Sequence, residues 1–519
     1  MRFASALGAT ALSAVLFGLA FPPVHLKPLA WVCLVPLLLA LRRGGLGSSL
    51  LLAFLWAELA SSFVAHPLPA AISSYFRQPA FVGWAFAVGI WGFTASLYYL
   101  AFAAAYRSLA ARFGRALPCL AAAAWVAVEL GRTRLFTGTT LFVGNPWGVL
   151  GYSQMGWDEL VQVASVTGVY GISFLLVLVN ASLAELWLAF RARSLSWRRA
   201  VRDLSPAALF ALAALLYGHT ELLAAGRSEP GSEPVRVAVI QGNLDLGSRW
   251  RPEFYGRNLD TYLGLTLQAL DAGKPAVVVW PEAALTFHLE EEPLFRRAIA
   301  RVLAEGGAQL VVGGPHAEAV EPPIHYNSVF LLSEQGEVIG RYDKQHLLPF
   351  AEYVPLPGLE LVRRQFGRRR VVTHGEPTPP LQTRAGSAGV LVCNEAMLPA
   401  VAATRVREGA VYLINPSNDS WIADPVFARM MFDLVSLRAV EQRRYLVRAS
   451  TGGPSAVVDP WGRVRVATEP LSRGVILGGV HPRTELSLYN RLGDLFALAC
   501  LASAGVALAS RLFASRRAE

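Results

Sequence analysis

The sequence predicts a polytopic α-helical membrane bundle of about eight transmembrane helices joined to one α/β domain. Three observations carry this. The 519 residues are 54% apolar and only 16% charged, too apolar for an ordinary soluble protein. The apolar residues gather into stretches near the roughly 20 needed to span a bilayer. Between the seventh and eighth stretches lies a polar block, 226–487, in which short β-rich runs alternate with helical patterns.

The apolar stretches fall at 3–21, 26–41, 46–66, 80–106, 117–131, 160–190, 205–225 and 488–513. Those at 26–41 and 117–131 are short, and 160–190 is long enough to tilt or include interfacial residues. Arg2, an apolar run and Gly18-Leu19-Ala20 also fit a signal peptide. Because Phe21-Pro22-Pro23 leads straight into the next apolar segment, a retained helix is the expectation. Basic residues orient the bundle. With the N-terminus inside, fourteen Arg residues lie in the inside segments and only Lys27, Arg77, Arg132 and Arg134 outside, the bias of the positive-inside rule. Seven crossings then put the polar block outside the cytoplasm. The net charge of +10 follows from that topology, and no nucleic-acid partner is expected. Glu58, Glu129 and Glu221 lie within or beside apolar segments, where an ionised group is costly. Glu129 and Glu221 are near segment ends and are expected to reach the interface; Glu58 is the one expected to make an internal polar contact.

The expected domains are therefore a membrane domain at 1–225, a linker at 226–234, a catalytic domain at 235–487 and a C-terminal helix with its tail at 488–519. The linker is polar and contains Pro230, Gly231 and Pro234. Strands are predicted at 235–241, 276–280, 309–313, 328–332, 338–342, 389–393, 411–414, 445–450, 455–458 and 475–480, and helices near 253–272, 293–305, 398–408 and 427–444. Gln335-Gly336 and Trp461-Gly462 read as hairpin turns, so the sheets are expected to be mixed.

Of the four cysteines, Cys33, Cys119 and Cys500 fall in apolar segments and read as packing residues. Cys393 stands alone in the polar block, without a partner in a compartment where disulfides form. It follows a buried-strand pattern, and upstream come Glu282 in Trp280-Pro281-Glu282 and Lys344 in Tyr342-Asp343-Lys344. A carboxylate, an ammonium and a thiol near strand ends are the parts needed for acyl transfer through a thioester. The reference gap between Cys and Glu is about 4 pKa units, roughly 5.7 kcal/mol. Glu282 serves as base only if its site narrows that gap by desolvating the carboxylate or stabilising the thiolate; Lys344 is expected to do the second and to stabilise an oxyanion. Taken singly, Glu282 could cap a helix, Lys344 could be a solvated loop charge and Cys393 a buried thiol.

The order Trp280-Pro281-Glu282, then Asp343-Lys344-x-His346-Leu347-x-Pro349-Phe350-x-Glu352-Tyr353-Val354-Pro355, then Cys393-x-Glu395 resembles the carbon–nitrogen hydrolase (nitrilase) superfamily. With seven apolar segments before the domain and one after, nearly the whole chain resembles the apolipoprotein N-acyltransferases of the bacterial inner membrane. Asn145-Pro146-Trp147, Gly151-Tyr152-Ser153-Gln154 and Asn418-Asp419-Ser420-Trp421 add to the match. The resemblance implies a nitrilase-like α-β-β-α sandwich held over the bundle, with a phospholipid acyl donor, a diacylated apolipoprotein acceptor and the bilayer as partners. It also implies Glu282 as general base, Lys344 as oxyanion stabiliser and Cys393 as nucleophile. Glu352 resembles an additional essential carboxylate. Trp250 and Pro355 match loop positions, Asn327 is expected to order the pocket, and Asn394 and Glu395 complete the supporting set.

An oxygen ester becoming a thioester and then an amide runs downhill without a nucleotide, and no G-x-x-x-x-G-K-[ST] motif occurs. No H-E-x-x-H or paired-cysteine spacing occurs either, so neither cofactor nor metal is expected, and the protein is expected to be a monomer. An α-amine, with a reference pKa of about 7.7–8.0, is a better acceptor at neutral pH than a lysine side chain. A membrane-tethered amidase or nitrilase is the rival that the trio alone does not separate. The sequence departs from the family at Asn394, where an aromatic residue is usual, at Ile422, and across Phe427-Ala428-Arg429-Met430-Met431. Arg363, Arg364, Arg368, Arg369 and Arg370 form a basic run, read either as a solvated loop or as an arm attracted to anionic lipid.

Overall fold

The computed structural model describes residues 3–135, 144–228, 233–244, 251–318, 320–353, 372–422 and 424–516. Trp250, Pro355 and the basic run from Arg363 to Arg370 lie outside the described residues. The chain divides into two compact units. One holds the N-terminal stretch, Gly144–Leu222 and the segment from Leu492 onward; the other holds Leu223–Arg491.

Among the described residues, four helices are long and apolar enough to cross a membrane: Leu46–Val64, Ala80–Ala110, Val169–Arg191 and Trp197–Gly226. The other expected segments are shorter or broken. A 3₁₀ turn at Lys27–Trp31, with Pro at its start, precedes the short helix Val35–Leu41. Gly168, at φ +65°, separates Ala164–Thr167 from Val169–Arg191. The helix Leu117–Arg134 packs against Leu97–Ala110, Val169–Arg191 and Leu495–Arg516. That enclosure corrects the expectation for Glu129. It does not reach an interface but is fully buried, its Oε1 accepting from the Trp125 indole N–H (2.9 Å) and the Leu150 N–H (2.8 Å). Glu58 accepts from the Ser96 hydroxyl at 2.6 Å. Asn145 donates to Thr94 Oγ1 (2.8 Å), and Arg132 donates to the Trp147 carbonyl.

The second unit is a four-layer sandwich. Its strands are β1 (Val235–Gln241), β2 (Val277–Val279), β3 (Gln309–Glu318), β4 (Ile324–Leu332), β5 (Val338–Asp343), β6 (Leu381–Thr383), β7 (Gly386–Val390), β8 (Tyr412–Ser417), β9 (Leu446–Ser450), β10 (Ala456–Val458), β11 (Val464–Ala467) and β12 (Gly474–Val480). They form two six-stranded sheets, ordered β12-β1-β2-β3-β4-β5 and β11-β10-β9-β8-β7-β6. Each sheet has parallel pairing in its middle (β1-β2-β3 and β7-β8-β9) and antiparallel strands outside it. The hairpins at Gln335-Gly336 and Trp461-Gly462 join β4 to β5 and β10 to β11.

Strand β1 shows why the sheets stack. Val237 and Val239 face the second sheet's Val390, Val392, Ile414 and Val447. Ala238 and Ile240 point the other way, into a core with Leu259, Tyr262, Ile299 and Leu303. The period of two therefore serves two apolar faces, and the strand reads as a continuous hydrophobic run. The outer layers are α1 (Tyr255–Gly273) and α2 (Pro293–Gly306) over the first sheet, and α3 (Pro399–Arg407) and α4 (Pro425–Gln442) with the second. Helices α2, α3 and α4 begin at proline, whose missing N–H costs nothing there. Asp424 caps α4 by accepting from the Val426 and Phe427 N–H groups (2.8 and 2.9 Å). Gly307, at φ +65°, ends α2 in the left-handed region.

Candidate active site

Glu282 lies just beyond β2. Trp280 anchors that turn: it is fully buried, stacks on Tyr262 with ring centroids 4.9 Å apart, and donates its indole N–H to Thr266 Oγ1 at 3.0 Å. Gly313 on β3 passes so close that a β-carbon there would stand 2.6 Å from Glu282 Cα and 2.8 Å from the Pro281 carbonyl oxygen. Only glycine leaves room for that backbone approach.

Lys344 follows β5, its N–H donating to the Asn327 carbonyl at 2.9 Å and so extending the β4–β5 pairing. The side chain is buried, with Nζ 2.9 Å from Glu352 Oε2 and 3.4 Å from Glu282 Oε1. Asn327 Nδ2 bridges the same two carboxylates, donating to Glu282 Oε1 (2.8 Å) and Glu352 Oε1 (2.7 Å). The Leu348 N–H also donates to Glu352 Oε2, at 2.7 Å. Four of the expected site residues thus form one hydrogen-bonded cluster: two carboxylates, one ammonium and the amide that spaces them. Burial opposes the charge on Lys344, but Glu352 and Glu282 outweigh it and hold the ammonium well above the ordinary lysine range.

Cys393 is expected at the end of a strand. Instead β7 stops at Val390, and the cysteine opens a 3₁₀ turn, Cys393–Met397. Its φ is +51°, a strained conformation for a residue with a side chain. The cysteine packs with the core between the two sheets, and the Asn418 backbone N–H favours its anion. Burial pushes the thiol up, Glu282 adds to this, and Lys344 only partly opposes it. Lys344 acts in the expected direction, favouring the thiolate, but burial and Glu282 work against it.

Glu395 and Asn394 brace the turn. Glu395 is fully buried. Its Oε2 accepts from the Val392 N–H (2.7 Å), and its Oε1 from the Gln345 N–H (2.9 Å), the His346 N–H (3.0 Å) and the Tyr342 hydroxyl (2.9 Å). One carboxylate therefore ties the lysine loop to the cysteine turn. Asn394 Nδ2 donates to the His346 carbonyl at 2.9 Å; at this position the side chain serves as a strut between the same two segments. Sequence reasoning missed a further buried group behind the thiol. Asp419 pairs with Arg448 at 2.5 Å and accepts from Ser417 (2.8 Å) and Ser450 (2.9 Å). The Asn418-Asp419 motif was the available signal.

A thiol with a carboxylate, an ammonium and a backbone N–H acting on it can attack a carbonyl carbon, pass its proton to the carboxylate and have the resulting oxyanion neutralised. Residues 236–485 match the carbon–nitrogen hydrolase family profile, and residues 13–182 match that of the apolipoprotein N-acyltransferase N-terminal domain. An apolipoprotein N-acyltransferase of Geobacter metallireducens is 35% identical over 96% of this chain and 94% of its own. The chain belongs to the apolipoprotein N-acyltransferase family. Members from Methylococcus capsulatus (29% identical, 75% of this chain and 73% of that one) and Pseudomonas aeruginosa (30%, 71% and 68%) are also similar. A solved Nesterenkonia amidase of the nitrilase superfamily is 20% identical and covers 51% of this chain and 97% of its own, with a TM-score of 0.38. As in the family, a helical region with several apolar helices precedes a nitrilase-like domain of two sheets. Glu282, Lys344 and Cys393 all fall within the carbon–nitrogen hydrolase match.

Proposed function

We propose that this enzyme moves a fatty acyl chain from a membrane phospholipid, through a thioester on Cys393, to the N-terminal α-amine of diacylglyceryl-cysteine apolipoproteins, giving triacylated lipoproteins. Glu282 takes the thiol proton as Sγ attacks the ester carbonyl carbon. The tetrahedral oxyanion is met by the Lys344 ammonium. Collapse breaks the ester C–O bond, and Glu282 returns the proton to the leaving lysophospholipid oxygen. In the second half, the α-amine attacks the thioester, Glu282 accepts a proton from the nitrogen, and as the C–S bond breaks Glu282 passes that proton to the leaving sulfur, restoring the thiol and the carboxylate. Glu352 and Asn327 fix Lys344 and Glu282 relative to each other, while Asn394 and Glu395 hold the nucleophile turn. Trp250 and Pro355 are assigned to substrate binding by the resemblance of their flanking sequence to the family.

The observation that carries this reading is the hydrogen-bonded cluster Glu282–Asn327–Glu352–Lys344 in the same domain as the buried Cys393. The reading includes a monomer in the bacterial inner membrane, with a membrane domain at 1–225, a linker at 226–234, a catalytic domain at 235–487 on the periplasmic side, and a final helix with its tail at 488–519. The distribution of basic residues supports that side. The test is to incubate the purified protein with phospholipid and a diacylated lipopeptide. Triacylated peptide is the expected product; free fatty acid alone would favour the amidase-like reading, in which water resolves the thioester.

A further inference from the structure

Glu395 is an ionised carboxylate with no solvent access, and such a charge needs compensation. Burial alone would raise its carboxyl group, but the His346 ring and backbone and Lys344 hold it below the usual glutamate range. The His346 ring nitrogen Nδ1 stands 3.7 Å from Oε1. A further cation reaches Glu395 through one intermediate. Arg405 on α3 donates from Nη2 to the Tyr342 hydroxyl oxygen at 3.0 Å, and that hydroxyl donates to Glu395 Oε1 at 2.9 Å. The Arg405 guanidinium carbon lies over the Tyr342 ring, 4.7 Å from its centroid. Nη2 also donates to Gln345 Oε1 at 2.7 Å, while Nη1 pairs with Glu408 at 2.9 Å. The arginine side chain is only 2% exposed.

Arg405 therefore grips Tyr342 and Gln345, the residues on either side of the Asp343-Lys344 step, and through Tyr342 it supports the carboxylate that holds the Cys393 turn. We infer that Arg405 is a positioning residue for acyl transfer, acting through Tyr342 and Glu395 to keep the Lys344 loop and the Cys393 turn in register. This rests on the acyl-transfer reading above. Arg405 orients the Tyr342 hydroxyl and polarises it as a donor to Glu395, adding to the compensation that His346 and Lys344 give that carboxylate. The groups facing Glu395 are Tyr342, Lys344, His346 and, one bond further, Arg405 with its partner Glu408. Without Arg405, Glu395 protonates at higher pH, loses acceptor capacity toward the Gln345 and His346 N–H groups, and releases the lysine loop.

The test uses the full-length protein in mixed micelles of detergent, phosphatidylethanolamine and phosphatidylglycerol, following the Cys393 acyl adduct by intact mass from about pH 5 to about pH 9. Arg405→Met is expected to slow acylation about 100-fold, the scale of a 1 Å misplacement, and to move the acid limb of the rate profile to higher pH. Arg405→Lys recovers much of the rate. Tyr342→Phe, a milder change that removes only the linking hydroxyl, moves the acid limb in the same direction, and the double variant is no slower than the slower single one. An unmoved acid limb in Tyr342→Phe, or an Arg405→Lys rate no better than that of Arg405→Met, overturns the inference. If the unaltered protein forms no adduct at all, the acyl-transfer reading itself has failed.

Discussion

At Cys393, a left-handed backbone conformation and burial coincide, and burial pushes the thiol up. Iodoacetamide alkylation of Cys393 is therefore expected to stay slow from about pH 7 to about pH 9, where an ordinary thiol with a pKa near 8.5 speeds up. Glu282→Gln separates two effects. Removing the carboxylate removes a charge that raises the thiol, so alkylation quickens, while acylation falls by about 10²–10⁴ through loss of the base. A slowed alkylation or an unchanged acylation rate contradicts the assignment. Lys344, also raised, has the same sign of linkage as the thiol. Its pKa is raised by Glu352 and Glu282 against burial, so its charge contributes stability fully below about pH 10.4 and loses it only as pH climbs through the raised value. No alkaline loss near neutrality comes from this residue. The trio, Glu352 and Asn327 were legible because each sits in flanking sequence with a fixed order. Arg405 and Arg448 were not: an arginine in a helix or strand reads the same whether solvated or buried, and only the fold brings each to a partner distant in sequence.

Among the elements, strands with two apolar faces were read from sequence because their runs are unbroken. Two strands escaped. Leu381–Thr383 has three residues, too few for a period, and Val464–Ala467 is an exposed edge carrying Arg465. The end of β7 was misplaced for a related reason. Leu391 and Val392 continue the apolar run, and the Leu391 N–H still donates to the Ile414 carbonyl at 2.9 Å, although the strand has ended. The β2 turn and β3 depend on close contact at Gly313. Gly313→Ala drives a methyl group against Glu282 Cα and the Pro281 carbonyl. We expect a loss of about 1–3 kcal/mol, read by thermal unfolding, together with slower acylation because the carboxylate is displaced. Asp424→Ala removes the cap of α4 and is expected to cost about 1 kcal/mol in the same assay. Unaltered melting in either variant contradicts the packing described.

For the molecule as a whole, the bundle was legible as apolar stretches, but not in its detail. A proline and a glycine break two expected spans into turns and short helices, and Leu117–Arg134 is enclosed by neighbouring helices. The proposed side of the catalytic domain is open to direct labelling. Leu294, 71% exposed on α2, is replaced by cysteine. In cells with a permeabilised outer membrane, a membrane-impermeant maleimide is expected to label that position; labelling only after the inner membrane is broken contradicts the topology. The most direct measurement of the central claim is the intact mass of the purified protein after exposure to phospholipid, with the modified peptide mapped. The account predicts one fatty acyl group on Cys393 that leaves when a diacylated lipopeptide is added and reappears on that peptide's α-amine. A protein whose Cys393 never gains that mass, or whose acyl group passes only to water, would contradict it.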